Sequence, residues 1–185
     1  MHGLAPIEAT LGGFNLTFTY SPSGKLQTAL MQPIPAPPMP VSALALGPEL
    51  TQILNEAPSK GLTVLVAAVD MDLQPRLSLR GSLSVLDDTT IGFWARNAAG
   101  STATSLEAHP RLTMFYRDVP NRQTLTLYGR GRLVTDEATR RKVFDQSIPG
   151  EQRLDPQMKG GAVVVDLDAV EGVGPNGRIN MKRSG

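Results

Sequence analysis

The chain has 185 residues and a mass of 19.8 kDa, the size of one domain or of one domain with an appendage. Hydrophobic residues make up 41% and charged residues 19% of the sequence, a balance typical of a globular protein rather than a disordered one. The formal net charge is +1 and the arginines are spread along the chain, so the basic patch of a nucleic-acid-binding protein is missing. No apolar run approaches the roughly 20 residues of a membrane span.

Cysteine is absent, and His2 and His109 are the only histidines. Disulfides, zinc ribbons, iron–sulfur clusters and thiol nucleophiles are therefore excluded, and we predict no metal site. The first ten residues carry Glu8 and lack the basic start and the apolar stretch of a secretory signal. We therefore expect a cytoplasmic protein.

The first 40 residues differ in composition from the rest of the chain. Six of the 15 prolines lie between Pro22 and Pro40, and the run from Pro33 onward favours an extended spacer. Apolar residues alternate from Phe14 to Tyr20, which predicts one strand that pairs with the body or with a partner subunit. We predict a Pro-rich N-terminal arm over residues 1–40 and one domain over residues 41–185.

Strands dominate the predicted domain. A helix follows Pro48 and ends before Pro58, and two further helices are expected over Ser101 to Ala108 and Asp136 to Gln146. A fold that is mainly β with short helices follows, and six strands at this spacing predict a six-stranded antiparallel barrel. The six predicted strands are Leu62 to Val69, Pro75 to Leu86, Ile91 to Arg96, Leu112 to Arg117, Thr124 to Thr135 and Ala162 to Leu167.

An anion-binding turn is predicted where a loop enters the helix at Gly100 and Ser101. The first amide N–H groups of a helix lack intrahelical partners, so a helix start binds anions readily. The hydroxyls of Ser101 and Thr102 add donors, and Arg80 or Arg96 can neutralise a phosphate. The alternative is that Ser101 only caps the helix and that both arginines lie on exposed strand faces.

Several short motifs follow one another in the order found in a known family. Together with the order of predicted helices and strands, they resemble the pyridoxamine 5′-phosphate oxidase-like, FMN-binding split-barrel family from Leu50 to about Val173. The resemblance implies a six-stranded antiparallel split β-barrel that binds FMN, and a homodimer with the flavin in a cleft between subunits. The motifs are Gln74-Pro75-Arg76-Leu77-Ser78-Leu79-Arg80-Gly81-Ser82, Phe93-Trp94-Ala95-Arg96, Gly100-Ser101-Thr102, His109-Pro110-Arg111 and Leu127-Tyr128-Gly129-Arg130-Gly131.

The resemblance also implies which residues bind the cofactor. The backbone of the strand that carries Trp94 would lie beside the flavin, although core packing is the alternative role of its side chain. Gln123 and Thr124 are alternatives for one contact, because the preceding loop leaves an ambiguity of one residue. The implied set is Ser78, Arg80, Trp94, Ala95, Arg96, Gly100, Ser101, Thr102, Gln123 and Thr124.

The sequence departs from the family pattern at Ser101, where an Arg or Lys is usual. No basic residue lies between Asn97 and His109. Either Arg80 and Arg96 compensate, or the pocket takes a ligand that depends less on a phosphate, or the cofactor has been lost.

We predict an FMN-dependent oxidoreductase that acts on a small organic substrate. No acid–base pair stands out in the sequence and bound flavin needs none, so no catalytic residue is predicted. Arg130 shares a strand face with Tyr128 and Arg132 and is a candidate for binding a substrate carboxylate, with a surface or interface charge as the alternative. The alternative function is a non-catalytic protein that binds flavin, haem or another planar ligand on the same barrel.

Overall fold

The structure of the protein is a computed structural model that describes residues 6–11, 13–35 and 39–184. Its backbone divides into two units, residues 1–39 and 40–185, next to the predicted boundary between residues 40 and 41. The secondary structure is mainly β with short helices, as predicted. Among the described residues, no helix is long and apolar enough to cross a membrane.

The described residues form twelve strands and four α-helices. The first unit contains β1 (Ile7–Leu11), β2 (Phe14–Tyr20) and β3 (Leu26–Pro33). The strands of the second unit are β4 (Ser42–Ala43), β5 (Val64–Val69), β6 (Pro75–Arg80), β7 (Ser84–Asp87), β8 (Thr90–Ala95), β9 (Arg111–Asp118), β10 (Gln123–Val134), β11 (Gly161–Gly174) and β12 (Gly177–Lys182). Its helices are α1 (Gly47–Glu56), α2 (Ser101–Ala108), α3 (Glu137–Asp145) and α4 (Pro149–Leu154).

The first unit is a three-stranded antiparallel sheet in the order β1-β2-β3. The predicted single strand is confirmed as β2, but the prediction of an extended arm is wrong, because β1 and β3 pair with its two sides. No proline lies between Pro22 and Pro33, so β3 can pair along β2 as an edge strand. Of the predicted spacer that ends at Pro40, residues 36–38 lie outside the described residues.

The second unit is built on one nine-stranded sheet with the order β4-β12-β11-β10-β9-β5-β6, and β8 pairs with β11 and with β7. Strand β11 joins these branches, because it pairs with β10 along its length, with β8 at its start and with β12 at its end. In the described backbone β6 and β7 do not pair, so the sheet does not close into a barrel. The predicted count of six strands is not confirmed.

The predicted strand from Pro75 to Leu86 is in fact two strands, β6 and β7. The break is at residues 81–83, where the chain leaves β5 and turns to pair with β8. Ser82 is buried in the break, and its hydroxyl donates to the carboxylate of Glu151 on α4. Helix α4 was not predicted, although Pro149 at its start is a common helix-start signal.

The C-terminal end of the chain contains more strand than predicted. The predicted strand from Ala162 to Leu167 continues to Gly174, and β12 then returns alongside it as a hairpin. Gly177 has a φ of 111° in this turn, a conformation that glycine adopts at no steric cost. The turn residues Pro175 and Asn176 were the overlooked signal.

Two apolar clusters hold the second unit together. The larger one lies inside the curved sheet under α1 and includes Leu54, Phe93 and Leu127. The smaller cluster packs α3 against the outer side of β8, through Trp94, Val143, Phe144 and Ala162. Helix α3 is capped by Asp136, whose carboxylate accepts a hydrogen bond from the Thr139 amide at 2.8 Å.

Candidate functional site

A cavity of about 460 Å³ opens where β6, the end of β8 and the start of α2 meet. Seven of the ten predicted cofactor-binding residues line it, together with Asn97, which was not predicted. The lining residues are Ser78, Arg80, Ala95, Arg96, Asn97, Gly100, Ser101 and Thr102.

Arg80 is the central side chain of this cavity. It is half-buried on the same side of β6 as Ser78, whereas Leu77 and Leu79 are exposed on the other side. One terminal nitrogen, Nη2, donates hydrogen bonds to the hydroxyls of Ser78 (3.2 Å) and Thr102. The guanidinium carbon lies 5.0 Å from the centre of the Phe93 ring. These contacts fix the guanidinium group at the start of α2.

Arg80 forms no ion pair among the described residues. Its Nε atom is buried and has no hydrogen-bond partner among the described residues. Burial lowers the pKa of Arg80, the carboxylate of Glu151 acts to raise it, and the nearby charge of Arg96 lowers it further. Two cations therefore share one cavity, and an unsatisfied buried donor of this kind is costly without an anion to accept from it.

The start of α2 adds donors to the same cavity. The N-cap residue of α2 is Gly100, so the alternative that Ser101 caps the helix is wrong. Ser101 and Thr102 instead occupy the first turn, whose amide N–H groups have no partner within the helix. Asn97 builds the preceding turn, in which its carbonyl oxygen accepts from the Gly100 amide at 3.1 Å and its side-chain oxygen accepts from Ala99 at 3.0 Å.

The cavity therefore combines two guanidinium groups, three hydroxyls and a helix start around one small volume. This donor set suits an anion with several oxygens, such as a phosphate, because each oxygen can accept from a different donor. Among the described residues, no group of three or more His, Cys, Asp or Glu side chains can hold a metal ion.

Comparison with known proteins supports an assignment of fold. The sequence matches no family model and no curated protein. Solved structures do match, among them a protein of Clostridium acetobutylicum related to general stress protein 26, of the pyridoxinephosphate oxidase family. It is 14% identical, with a TM-score of 0.52, and the match covers 71% of this chain and 95% of that one.

Two further structures agree with this likeness. A candidate pyridoxamine 5′-phosphate oxidase of Lactobacillus delbrueckii is 19% identical with a TM-score of 0.50, covering 68% of this chain and 97% of that one. The HupZ protein of Group A Streptococcus is 17% identical with a TM-score of 0.51, covering 73% and 98%. The chain has the pyridoxamine 5′-phosphate oxidase-like fold.

Three of the predicted cofactor-binding residues do not line the cavity of this pyridoxamine 5′-phosphate oxidase-like fold. The Trp94 ring lies in the smaller core cluster, where its Nε1 donates to Asp155 at 3.0 Å and its ring packs edge-on against Phe144. Gln123 and Thr124 begin β10, three strands from β6, which is about 14 Å along the sheet.

Arg130, the candidate for substrate binding, lies on the outward side of β10 and outside the cavity. Its guanidinium group donates to the carboxylate of Asp168 at 2.6 Å and is 56% exposed. A substrate carboxylate at Arg130 would therefore share the guanidinium group with Asp168.

Glu151 lies near the cavity and was not among the predicted residues. Its Oε2 atom accepts from the buried Ser82 hydroxyl, and its Oε1 atom lies 3.3 Å from the position of a Cβ at Gly81. Gly81 directly follows Arg80, so the Glu151 carboxylate lies near the arginine. Its negative charge acts to raise the pKa of Arg80. The Gly81-Ser82 pair was visible in the sequence, but its partner on α4 could not be found without the fold.

Proposed function

We propose that this chain is an FMN-dependent oxidoreductase that acts on a small organic substrate. The observation that carries the proposal is the buried, unpartnered Nε of Arg80 at the start of α2. A binding site with a preformed unsatisfied donor favours a ligand that brings an acceptor. The pyridoxamine 5′-phosphate oxidase-like fold supports flavin as that ligand.

The residues of the cavity fit the phosphate of FMN. A phosphate monoester carries a charge of about −1.5 to −2 near neutral pH, which Arg80 and Arg96 together can balance. The hydroxyls of Ser78, Ser101 and Thr102 and the first amides of α2 would hold its oxygens. The Arg96 guanidinium group thus supplies the positive charge that an Arg or Lys at the position of Ser101 usually carries in the family.

Bound FMN supplies hydride and single-electron chemistry, which no side chain of the protein can provide. The chain's own residues anchor the phosphate and thereby orient the ligand. The Arg80 guanidinium is held in place by Ser78, Thr102 and the Phe93 ring before any ligand arrives. This preorganisation reduces the entropic cost of binding.

Calorimetric titration of the purified protein with FMN and with riboflavin tests the phosphate site. We expect FMN to bind more tightly than riboflavin, and Arg80→Gln to weaken FMN binding by about ten- to a hundred-fold, as for loss of a charge-assisted hydrogen bond. The same substitution should change riboflavin binding little. Arg132→Gln is the matched control, because Arg132 is 55% exposed on β10 and paired with Asp166.

Equal FMN affinity of wild type and Arg80→Gln would contradict the phosphate site. Failure of the folded wild-type protein to bind FMN would contradict the flavin proposal as a whole. A visible absorption spectrum recorded during the titration distinguishes bound flavin from other chromophores such as haem.

One observation favours the second candidate, a non-catalytic ligand-binding protein. None of the described residues that line the cavity is a carboxylate or an imidazole, so the site contains no proton donor or acceptor near neutral pH. FMN-loaded protein should pass electrons from NADH or NADPH to menadione faster than free FMN if it is an oxidoreductase. Tight FMN binding without faster turnover would support the ligand-binding candidate.

We also propose that the chain forms a homodimer through the outward side of β6 and its neighbours. Leu79, Leu65 and Phe115 lie side by side on β6, β5 and β9, and Leu77 lies next to them. Leu77 and Leu79 are 67% and 66% exposed on an edge strand, where an uncovered apolar surface promotes association. A second copy that places the same surface against this one covers both.

A further inference from the structure

A second cavity, of about 520 Å³, opens on the outward side of the sheet. It lies where the end of β5 and the start of β6 face the start of β9 and the middle of β10. Most of its lining residues are small or apolar, and the list includes one aromatic ring and two charged groups. They are Ala67, Ala68, Val69, Pro75, Arg111, Leu112, Thr113, Tyr128, Gly129 and Asp168.

The cavity carries one uncompensated positive charge. Arg111 and Arg130 are directly opposite each other in the register of β9 and β10. Arg130 is paired with Asp168 at 2.6 Å, and the next arginine on β10, Arg132, is paired with Asp166 at 2.5 Å. The Arg111 side chain is exposed and makes no hydrogen bond or ion pair among the described residues.

Asp168 compensates Arg130 only, so the positive charge of Arg111 lies opposite a second arginine without a counter-ion of its own, which is unfavourable. Asp168 pairs with Arg130 and not with Arg111, and a β-bulge sets its position. Tyr128 pairs with Ala169 and Gly129 with Leu167, so Asp168 is the extra residue and its side chain is directed to Arg130.

We propose that this cavity binds a small monocarboxylate with a flat apolar body. The carboxylate pairs with Arg111, and the body lies against Ala67 and Gly129 beside the Tyr128 ring. One unpaired guanidinium group matches a single negative charge, whereas the apolar lining offers few donors for a phosphate. The bound carboxylate also relieves the repulsion between Arg111 and Arg130.

This site is separate from the anion cavity and does not depend on the proposed flavin chemistry. Its residue Ala67 is directly opposite Leu77, so the site lies at the edge of the proposed dimer surface. The two cavities share no lining residue. Pro75, which lines one, and Arg80, which lines the other, stand at opposite ends of β6, about 17 Å apart at the rise of an extended strand.

Binding of 2-naphthoate, a flat monocarboxylate, tests the proposal by calorimetry and by amide chemical-shift mapping on the full chain. We expect shift changes in the cavity segments 67–69, 111–113 and 128–129. Arg111→Gln should weaken binding about tenfold, the lower end for a charge-assisted bond, because the group is exposed. Naphthalene-2-carboxamide, which has the same body and no charge, should bind more weakly by a similar factor.

Two further variants separate the charge from the shape of the cavity. Arg117→Gln removes an exposed guanidinium group from the same side of β9 and should leave affinity unchanged. Ala67→Leu fills the cavity while keeping Arg111, and should weaken the acid and the amide alike. The proposal is overturned if 2-naphthoate does not bind, if shifts map to the Arg80 cavity, or if Arg111→Gln and Arg117→Gln behave the same.

Discussion

The two sides of strand β6 differ in almost every property. One side carries Ser78 and Arg80, which are half-buried and hydrogen-bonded beside a polar cavity. The other side carries Leu77 and Leu79, which are about two-thirds exposed and contact mainly solvent. Because side chains alternate along a strand, a single short edge strand presents a ligand site and an uncovered apolar surface at once.

One strand of the fold therefore carries two different surfaces, a polar cavity wall and an exposed apolar side. The inward side is positioned by contacts from three other elements, namely β8, α2 and α4. The outward side is continued only by β5 and β9, so nothing in the described part of the chain covers it. Substitutions on the two sides should therefore change different measurements.

The largest effect is expected from replacing the outward leucines. The double substitution Leu77→Asp with Leu79→Asp should weaken the homodimer at least about a hundredfold, since burying each leucine contributes about 1.5 to 3 kcal/mol. Sedimentation equilibrium at micromolar concentration measures the change. Leu154→Asp is the matched control, because Leu154 is 66% exposed on α4.

A wild-type protein that is monomeric at these concentrations would contradict the dimer. A double variant that stays dimeric as strongly as the Leu154→Asp control would place the interface elsewhere. Either result would remove the assembly role from the outward side of β6 and leave the cavity side unaffected.

A smaller effect is expected on the cavity side from Ser101→Arg. This substitution adds a third cation beside Arg80 and Arg96 and should tighten FMN binding about tenfold. The gain is reduced by the unfavourable position of a cation at a helix start, which costs about 0.3 to 1 kcal/mol. Calorimetric titration measures the change, and Thr104→Arg, on the same helix but outside the cavity, is the control.

Unchanged or weaker FMN affinity in a folded Ser101→Arg protein would mean that the turn accommodates something other than a flavin phosphate. Equal tightening by Thr104→Arg would mean that the effect comes from long-range charge alone. In both cases the polar side of β6 would no longer be assigned to phosphate binding.

Much of the fold and of the cavity follows from the sequence. The alternation from Pro75 to Arg80, the Gly100-Ser101 turn and the short helix after it are local patterns, and the structure contains all three. Local patterns also bring Arg96 and Thr102 into the candidate set, and the family resemblance adds Ser78. The fold then places them on one cavity, although their use by a cofactor stays a prediction.

One of the errors arises from a contact between distant parts of the chain, and the others arise from local signals that were overlooked. The break after β6 depends on the bond from Ser82 to Glu151, 69 residues away, which no local pattern encodes. The three-stranded sheet at the N-terminus was not predicted, because the many prolines between Pro22 and Pro40 favour an extended segment. Strand β3 itself contains only Pro33, at its end.

The smallest effect concerns two tyrosines that lie on opposite sides of the sheet. Tyr116 faces inward from β9 and is 1% exposed, and burial raises its pKa to about 12, with the charge of Asp118 acting in the same direction. Tyr128 faces outward, and its hydroxyl donates to Glu171, which is the main cause of its raised pKa. The inward tyrosine therefore resists ionisation more strongly.

Because the folded pKa of Tyr116 lies above the unfolded value of about 10, its stabilising contribution is complete below pH 10 and is lost as the pH rises toward 12. By about pH 11 the loss should be about 1 kcal/mol. Tyr116→Phe cannot ionise, so the difference in free energy of unfolding between it and wild type should shrink by that amount between about pH 9 and pH 11. Urea titrations at both pH values measure it, and Tyr128→Phe should show a smaller change. A constant difference across this range would mean that Tyr116 titrates alike in the folded and unfolded states, and that the inward side of β9 is more hydrated than its burial indicates.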